Sequence, residues 1–266
     1  VKEINMIVRY SIIWWKFTLG TSQIAFQSRF GAILFLLGKL LRYVFFLLFL
    51  MLLLSRTKVI VGYPLWQLML FYATFNLLDT LPQFFFRNVY RFRQQILNGY
   101  FDNMLLKPLP SLFQPLFGGS DILDLFMLFL AAGFIMYAGI QSGHATPLHV
   151  FLYLLLICNS FVIALGLHIF VLGIGILSTA VDNTVMLYRD LTQMGRLPIE
   201  VYQEPLRGLI TFIIPIGIMM TYPVKALLGL LSVQGIILAM VFGTGMLFVS
   251  LRFWQYALRH YISIST

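Results

Sequence analysis

Three charged side chains stand inside stretches otherwise suited to hydrocarbon: Lys39 and Arg42, one helical turn apart, and Asp79, within Asn76-Leu77-Leu78-Asp79-Thr80-Leu81-Pro82-Gln83. A charge at the centre of a bilayer costs about 2.5–3.5 kcal/mol on insertion scales, so each needs an outlet. Lys39 and Arg42 either snorkel to cytoplasmic lipid phosphates or face a polar interior. Asp79 either lines a pathway or pairs with Lys39 or Arg42 on a neighbouring helix. Asp121 and Asp124 open a later apolar run, where carboxylates favour a helix N-terminus, and read as capping groups. Little else has the makings of catalysis. The four histidines, His144, His149, His168 and His260, have no metal-ligand spacing, and the nearest pair, His144 and His149, reads as interfacial. A single cysteine, Cys158, rules out an internal disulfide and a multi-cysteine metal site. Gly38-Lys39-Leu40 lacks the upstream glycine and following Ser/Thr of a phosphate-binding loop. Gly173/Gly175 and Gly243/Gly245 fall inside apolar runs, where small residues let helices approach closely. No metal, no bound cofactor and no catalysis by this chain are expected.

The elements that must position these residues are helices in a membrane. Of 266 residues, 60% are hydrophobic and 10% charged, more apolar surface than one soluble core can hide. Six apolar runs are long enough to span about 30 Å of hydrocarbon: 30–54, 64–86, 122–140, 148–179, one from about 209 broken by Pro215 and Pro223, and 233–253. Barrel strands would alternate over about 10 residues, which these runs do not. The expected fold is an all-α integral membrane protein, one transmembrane unit of six helices across 1–266. Residues 1–29, with Tyr10, Trp14, Trp15 and Phe17 beside Lys16, read as an amphipathic interfacial helix ahead of the first span.

Charge position sets the orientation. With the N-terminus inside, thirteen Lys and Arg fall on inner segments against three outside, namely Arg56, Lys58 and Lys225. Both termini and two polar segments, 87–120 and 181–207, are therefore expected in the cytoplasm. The formal charge of +9 comes with no nucleic-acid signature and reads as topology.

Those two segments carry a resemblance. Ile96, Gly99 and Asp102 at intervals of three, then Leu105-Leu106-Lys107-Pro108-Leu109, resemble the first cytoplasmic loop of ABC-2-type transporter permeases, in particular the bacterial six-span branch of ABC-2 family transporter proteins. Gly195-Arg196-Leu197-Pro198-Ile199-Glu200-Val201-Tyr202, followed by Thr211-Phe212-Ile213-Ile214-Pro215, is similar to that branch's entry into the fifth helix. Tyr222-Pro223-Val224-Lys225-Ala226-Leu227-Leu228-Gly229 fits its Tyr-Pro-x-x-x-Leu-Leu-Gly ending.

The resemblance implies a multi-pass permease of the inner (plasma) membrane, half of an ATP-driven exporter. It would be paired with a second copy or a related permease and served by separate ABC ATP-binding subunits that hold ATP and Mg. Residues 87–107 would be the coupling element. Arg87, Arg91 and Arg93 would meet headgroups, Ile96 would supply an apolar knob, Gly99 a bend, and Asp102 the N-cap of a short turn that Pro108 stops. Residues 183–207 would be a second contact, and Tyr222–Leu231 a re-entrant turn at an outer gate. The rival readings are an ATP-independent channel or lipid scramblase, an intramembrane enzyme and a structural scaffold.

Overall fold

The computed structural model describes residues 6–143, 146–178 and 181–262, with the side chains of 181–183 left aside. His144 lies outside the described residues. The architecture is helical, and the described strands are two-residue pieces, β1 (Val59–Ile60) and β2 (Tyr63–Pro64). They pair antiparallel in a tight turn through Gly62, whose φ of +82° suits a residue without Cβ.

Helix α1 (Met6–Gln27) ends at Ser28, whose Oγ accepts from Gly31 N and caps α2 (Arg29–Thr57). After the β turn, α3 (Leu65–Phe85) returns. A 3₁₀ turn (Arg87–Arg91) leads into α4 (Phe92–Leu97), α5 (Tyr100–Leu105) and α6 (Phe113–Phe117). Then α7 (Asp124–Ser142) and α8 (Pro147–Leu177) form a long pair. The chain continues through α9 (Val181–Gln193), 3₁₀ turns at Met194–Arg196 and Ile199–Val201, and half-helices α10 (Leu206–Ile213) and α11 (Gly217–Leu227), to α12 (Val233–Arg259).

Among the described residues, four helices are long and apolar enough to cross a membrane: α2, α7, α8 and α12. The bent pair α10–α11 adds a fifth if counted as one span. The expected six is thus not met on composition, and the shortfall is α3. Gln67, Asn76, Asp79 and Gln83 lower its hydropathy, while most of its length from Leu68 to Phe84 is buried. A helix wrapped by its own chain does not need a lipid-compatible surface. Its polar side chains find partners there: Asn76 Nδ2 donates to Tyr72 O at 2.7 Å, and Thr74 shares a 2.9 Å hydrogen bond with the Tyr153 hydroxyl of α8.

Helices α8 and α12 pack in parallel. Gly166 meets Met246 and Gly173 meets Phe253, so both advance together, and the Asn159 amide donates to Ala239 O at 2.9 Å. The α1 helix lies across one end of the bundle, where Trp14 stacks on Phe85 and Tyr10 meets Phe113. This end also holds residues 87–120 and the C-terminal part of α12, so the first and last described helices meet the loop segment together, through Trp14 to Ser120 and Trp254 to Ser111. The expected aromatic belt is thereby divided: Tyr10 and Trp14 face protein, and Trp15 is exposed.

Only one of the two prolines breaks the fifth run. The chain bends 81° between α10 and α11, at Pro215. Pro223 sits in α11 without interrupting it, because π-type turns precede it (Gly217–Thr221) and leave room for its ring. Across the bend, Ser160 Oγ of α8 lies 2.7 Å from Met219 O, so a neighbour supplies a polar partner.

A Cβ at Gly243 would collide with the Asn159 side chain. Gly243→Val is expected to cost about 1–3 kcal/mol through overpacking. Thermal unfolding in detergent checks this, with Gly245→Val, which has open space, as the harmless control.

Candidate functional site

Residues 86–117 form a compact platform at the loop end. Its anchor is aromatic: Phe92 and Phe101 meet edge-on at 5.0 Å, Phe101 also packs on Trp254 and Tyr261, and Phe86, Val89, Ile96 and Met104 close the cluster. Trp254 lies near the end of α12 and Tyr261 just beyond it, so the end of α12 and the chain that follows both meet the platform. Gly99, with φ +68°, makes the sharp turn between α4 and α5. The loop beyond is pinned by Asn88, whose amide donates to Gln114 O at 2.8 Å and accepts from Gln95 Nε2 at 2.7 Å. Lys107 Nζ donates to Gln114 Oε1 at 3.1 Å, and the exposed Pro108 follows the end of α5.

Two expectations need correction. Asp102 is not an N-cap. It lies inside α5, whose cap position is Gly99, and it accepts a 2.9 Å hydrogen bond from the Tyr261 hydroxyl. Burial first, and then the neighbouring Asp102 carboxylate, push the Tyr261 phenol up to about 12, so it remains a donor in ordinary buffers. Nor is Ile96 a protruding knob, since it is buried in the aromatic cluster. The apolar side chains that face outward are Leu97, Tyr100, Leu105 and Leu106, the last 84% exposed. Arg93 instead flanks a cleft against Gly175–Ser178 and Tyr261, while Arg91 is exposed beside α1 and α2.

The intramembrane charges are paired. Lys39 binds Asp124, whose side chain is fully buried, and Arg42 lies 3.8 Å from Asp79. Asp79 thus pairs with Arg42, one of its two expected partners. Lys39 neither snorkels nor takes Asp79, and Asp124 serves as its counter-ion instead of a cap. Asp121 is not at the cap position of α7, which is Leu123; it accepts from Leu123 N at 3.2 Å in the turn before the helix and meets Arg87 at 3.5 Å.

Residues 194–202 do not form a loop lying outside the bundle. Leu191 and Leu197 join the central core with Tyr72, Phe75, Met219 and Met220, and Tyr222 packs against the same core. The Arg196 guanidinium sits over Phe46 and Phe75, 5.6 and 5.8 Å from their ring centres, and binds Gln193. Gly195 is pressed on Met220 and Ile216, where a side chain would not fit. Pro198 leads into the 199–201 turn, and the Tyr202 hydroxyl donates to Met194 O at 2.9 Å. Ile199 N donates to Thr221 Oγ1, and Lys225 pairs with Glu200 at 2.7 Å. Glu200 was expected inside and Lys225 outside. No ion pair of 2.7 Å spans a bilayer, so this segment re-enters the bundle and joins α11. Its charge-rich sequence suggested a loop because the countercharges lie far off in the chain.

A family model for ABC-2 family transporter proteins matches residues 40–265. The chain belongs to this family, and is a membrane component of an ABC transporter, a multi-pass protein of a class associated with an ABC ATP-binding subunit. Searches of curated proteins and of solved structures find no match.

Lys39→Ala is expected to cost about 3–5 kcal/mol, because it strands the buried Asp124 carboxylate. Adding Asp124→Ala should recover much of that loss, a double-mutant cycle readable by thermal unfolding.

Proposed function

We propose that this chain is the membrane-spanning half of an ATP-driven exporter of the inner (plasma) membrane. It would work with a second copy or a related permease and take its power from a separate ATP-binding subunit that carries ATP and Mg. Six membrane-crossing elements are counted, α3 and the bent α10–α11 pair included, with both termini and residues 87–120 cytoplasmic. The observation that carries this reading is the platform at 86–117, which is tightly packed inward and carries exposed apolar side chains outward, among polar ones. A coupling element needs both properties. The Phe92–Phe101–Trp254 cluster ties it to α8 and α12, so a push on its surface moves whole helices instead of deforming a loop. The outward Leu97, Tyr100, Leu105 and Leu106 offer a partner the buried apolar contact that dominates protein association.

The second contact with the ATP-binding subunit is smaller than the 183–207 range. Residues 194–202 are committed to α11, which leaves Met186, Leu187, Arg189 and Asp190 of α9 and the exposed residues 203–207 as the accessible parts. The Glu200–Lys225 pair and Thr221 then tie residues 194–202 to the half-helix beyond the Pro215 bend, near the outer gate that the family resemblance implies.

The test is co-purification of the chain from its host in mild detergent, with ATP hydrolysis measured in the eluate. An ATPase subunit should accompany the wild-type chain. Leu106→Asp and Tyr100→Asp should each reduce its recovery at least about tenfold while the membrane part stays folded. Lys58→Gln, at the opposite end, should change nothing. A chain that folds and purifies alone, or variants that keep the ATPase, would overturn the proposal.

A further inference from the structure

A cavity of about 230 Å³ opens where the end of α1, the start of α2, the Arg87–Arg91 turn and residues 120–123 meet. Its lining is mixed in chemistry. Arg87 and Arg91 supply positive charge, and Ile24, Ala25, Ala32, Phe35 and Leu123 supply an apolar lining. The remaining polar groups on the wall are already engaged. Thr21 donates to carbonyls of α1 and to Ser120 O, the Ser120 hydroxyl accepts from Trp14 Nε1, and Ser28 caps α2. Asp121 is held by Arg87 and by Leu123 N. Two guanidinium groups thus face one occupied carboxylate, which leaves the cavity a net positive charge centred on Arg91.

The surroundings say which anion fits. Arg87 lies just past the end of α3, and Ile24 and Phe26 of α1 and Phe30 and Ile33 of α2, on the segments that line the cavity, are strongly exposed, with α2 long and apolar enough to cross a membrane. A soluble anion would gain nothing from the apolar wall. A molecule with an anionic head and a hydrocarbon tail satisfies both at once.

We propose that this cavity is a binding site for an anionic phospholipid, its phosphate held by Arg91 and Arg87 and the first part of an acyl chain lying along Ala25, Ala32 and Phe35. The bound lipid bridges α1, α2 and the turn that leads into the coupling platform. The site stands on the membrane assignment alone and not on any partnership with an ATPase.

The experiment is native mass spectrometry of the detergent-purified chain titrated with phosphatidylglycerol. Parallel arms use phosphatidylcholine and glycerophosphoglycerol, the water-soluble headgroup without acyl chains, and unfolding temperature is read alongside. Wild-type protein should retain phosphatidylglycerol in preference to phosphatidylcholine, with little gain from the free headgroup. Arg91→Gln, an exposed change, should weaken retention roughly five- to tenfold, as expected for loss of a charge-assisted contact. Ala25→Phe, which fills the apolar wall and leaves every charge in place, should weaken it as well. Lys58→Gln should behave as wild type. Equal retention of both lipids, equal effect of the free headgroup, or unchanged binding by folded Arg91→Gln and Ala25→Phe would overturn the proposal.

Discussion

Water is absent from the middle of a bilayer, so every polar group placed there must find a partner on the chain itself, and this demand organises the molecule. Helix α3 carries Asp79, Asn76, Thr74 and Gln83 through the centre, and it is covered by α2, α7, α8 and α11. Lys39–Asp124 and Arg42–Asp79 tie α2 to the helices beside it. Such pairs add little net stability over apolar packing, but breaking one leaves a buried charge. Their effect is to fix register: α2 cannot slide by one turn without orphaning two carboxylates.

The same constraint shapes the segment 194–202. Arg196 rests on aromatic faces, and Glu200 meets Lys225. Within a folded bundle a charged stretch can re-enter the membrane zone if it brings or finds its countercharges. The result is a continuous body from α9 through the 199–201 turn to α11, backed by α8 through Ser160 and Met219. The platform at the loop end is a second such body, held by aromatic packing instead of charge.

The sequence revealed the all-α membrane class, the position of the long helices, the bend at Pro215 and the turn at Gly99, because each rests on local composition or backbone chemistry. In the motif around Ile96, Gly99 and Asp102, Gly99 bends the chain as expected, whereas Ile96 turns inward and Asp102 is not an N-cap. Whether Ile96 points in or out depends on Phe101 and Trp254, which lie on other elements. Asp102 pairs with Tyr261, 159 residues away, and Lys39 with Asp124, 85 residues away. Hydropathy made α3 an ordinary span and 181–207 an ordinary loop, since a sliding window cannot see the neighbours that shelter one or pull in the other.

The small β1–β2 turn bears on how α3 is accommodated. Helix α2 is long and apolar enough to cross a membrane by itself, whereas α3, with four strongly polar side chains, is not. Only seven residues, 58–64, separate the two helices, and the paired strands draw their ends together. In that hairpin α2 stands beside α3 with Arg42 against Asp79, so the helix that is too polar to stand in lipid alone has its counter-ion delivered by its neighbour.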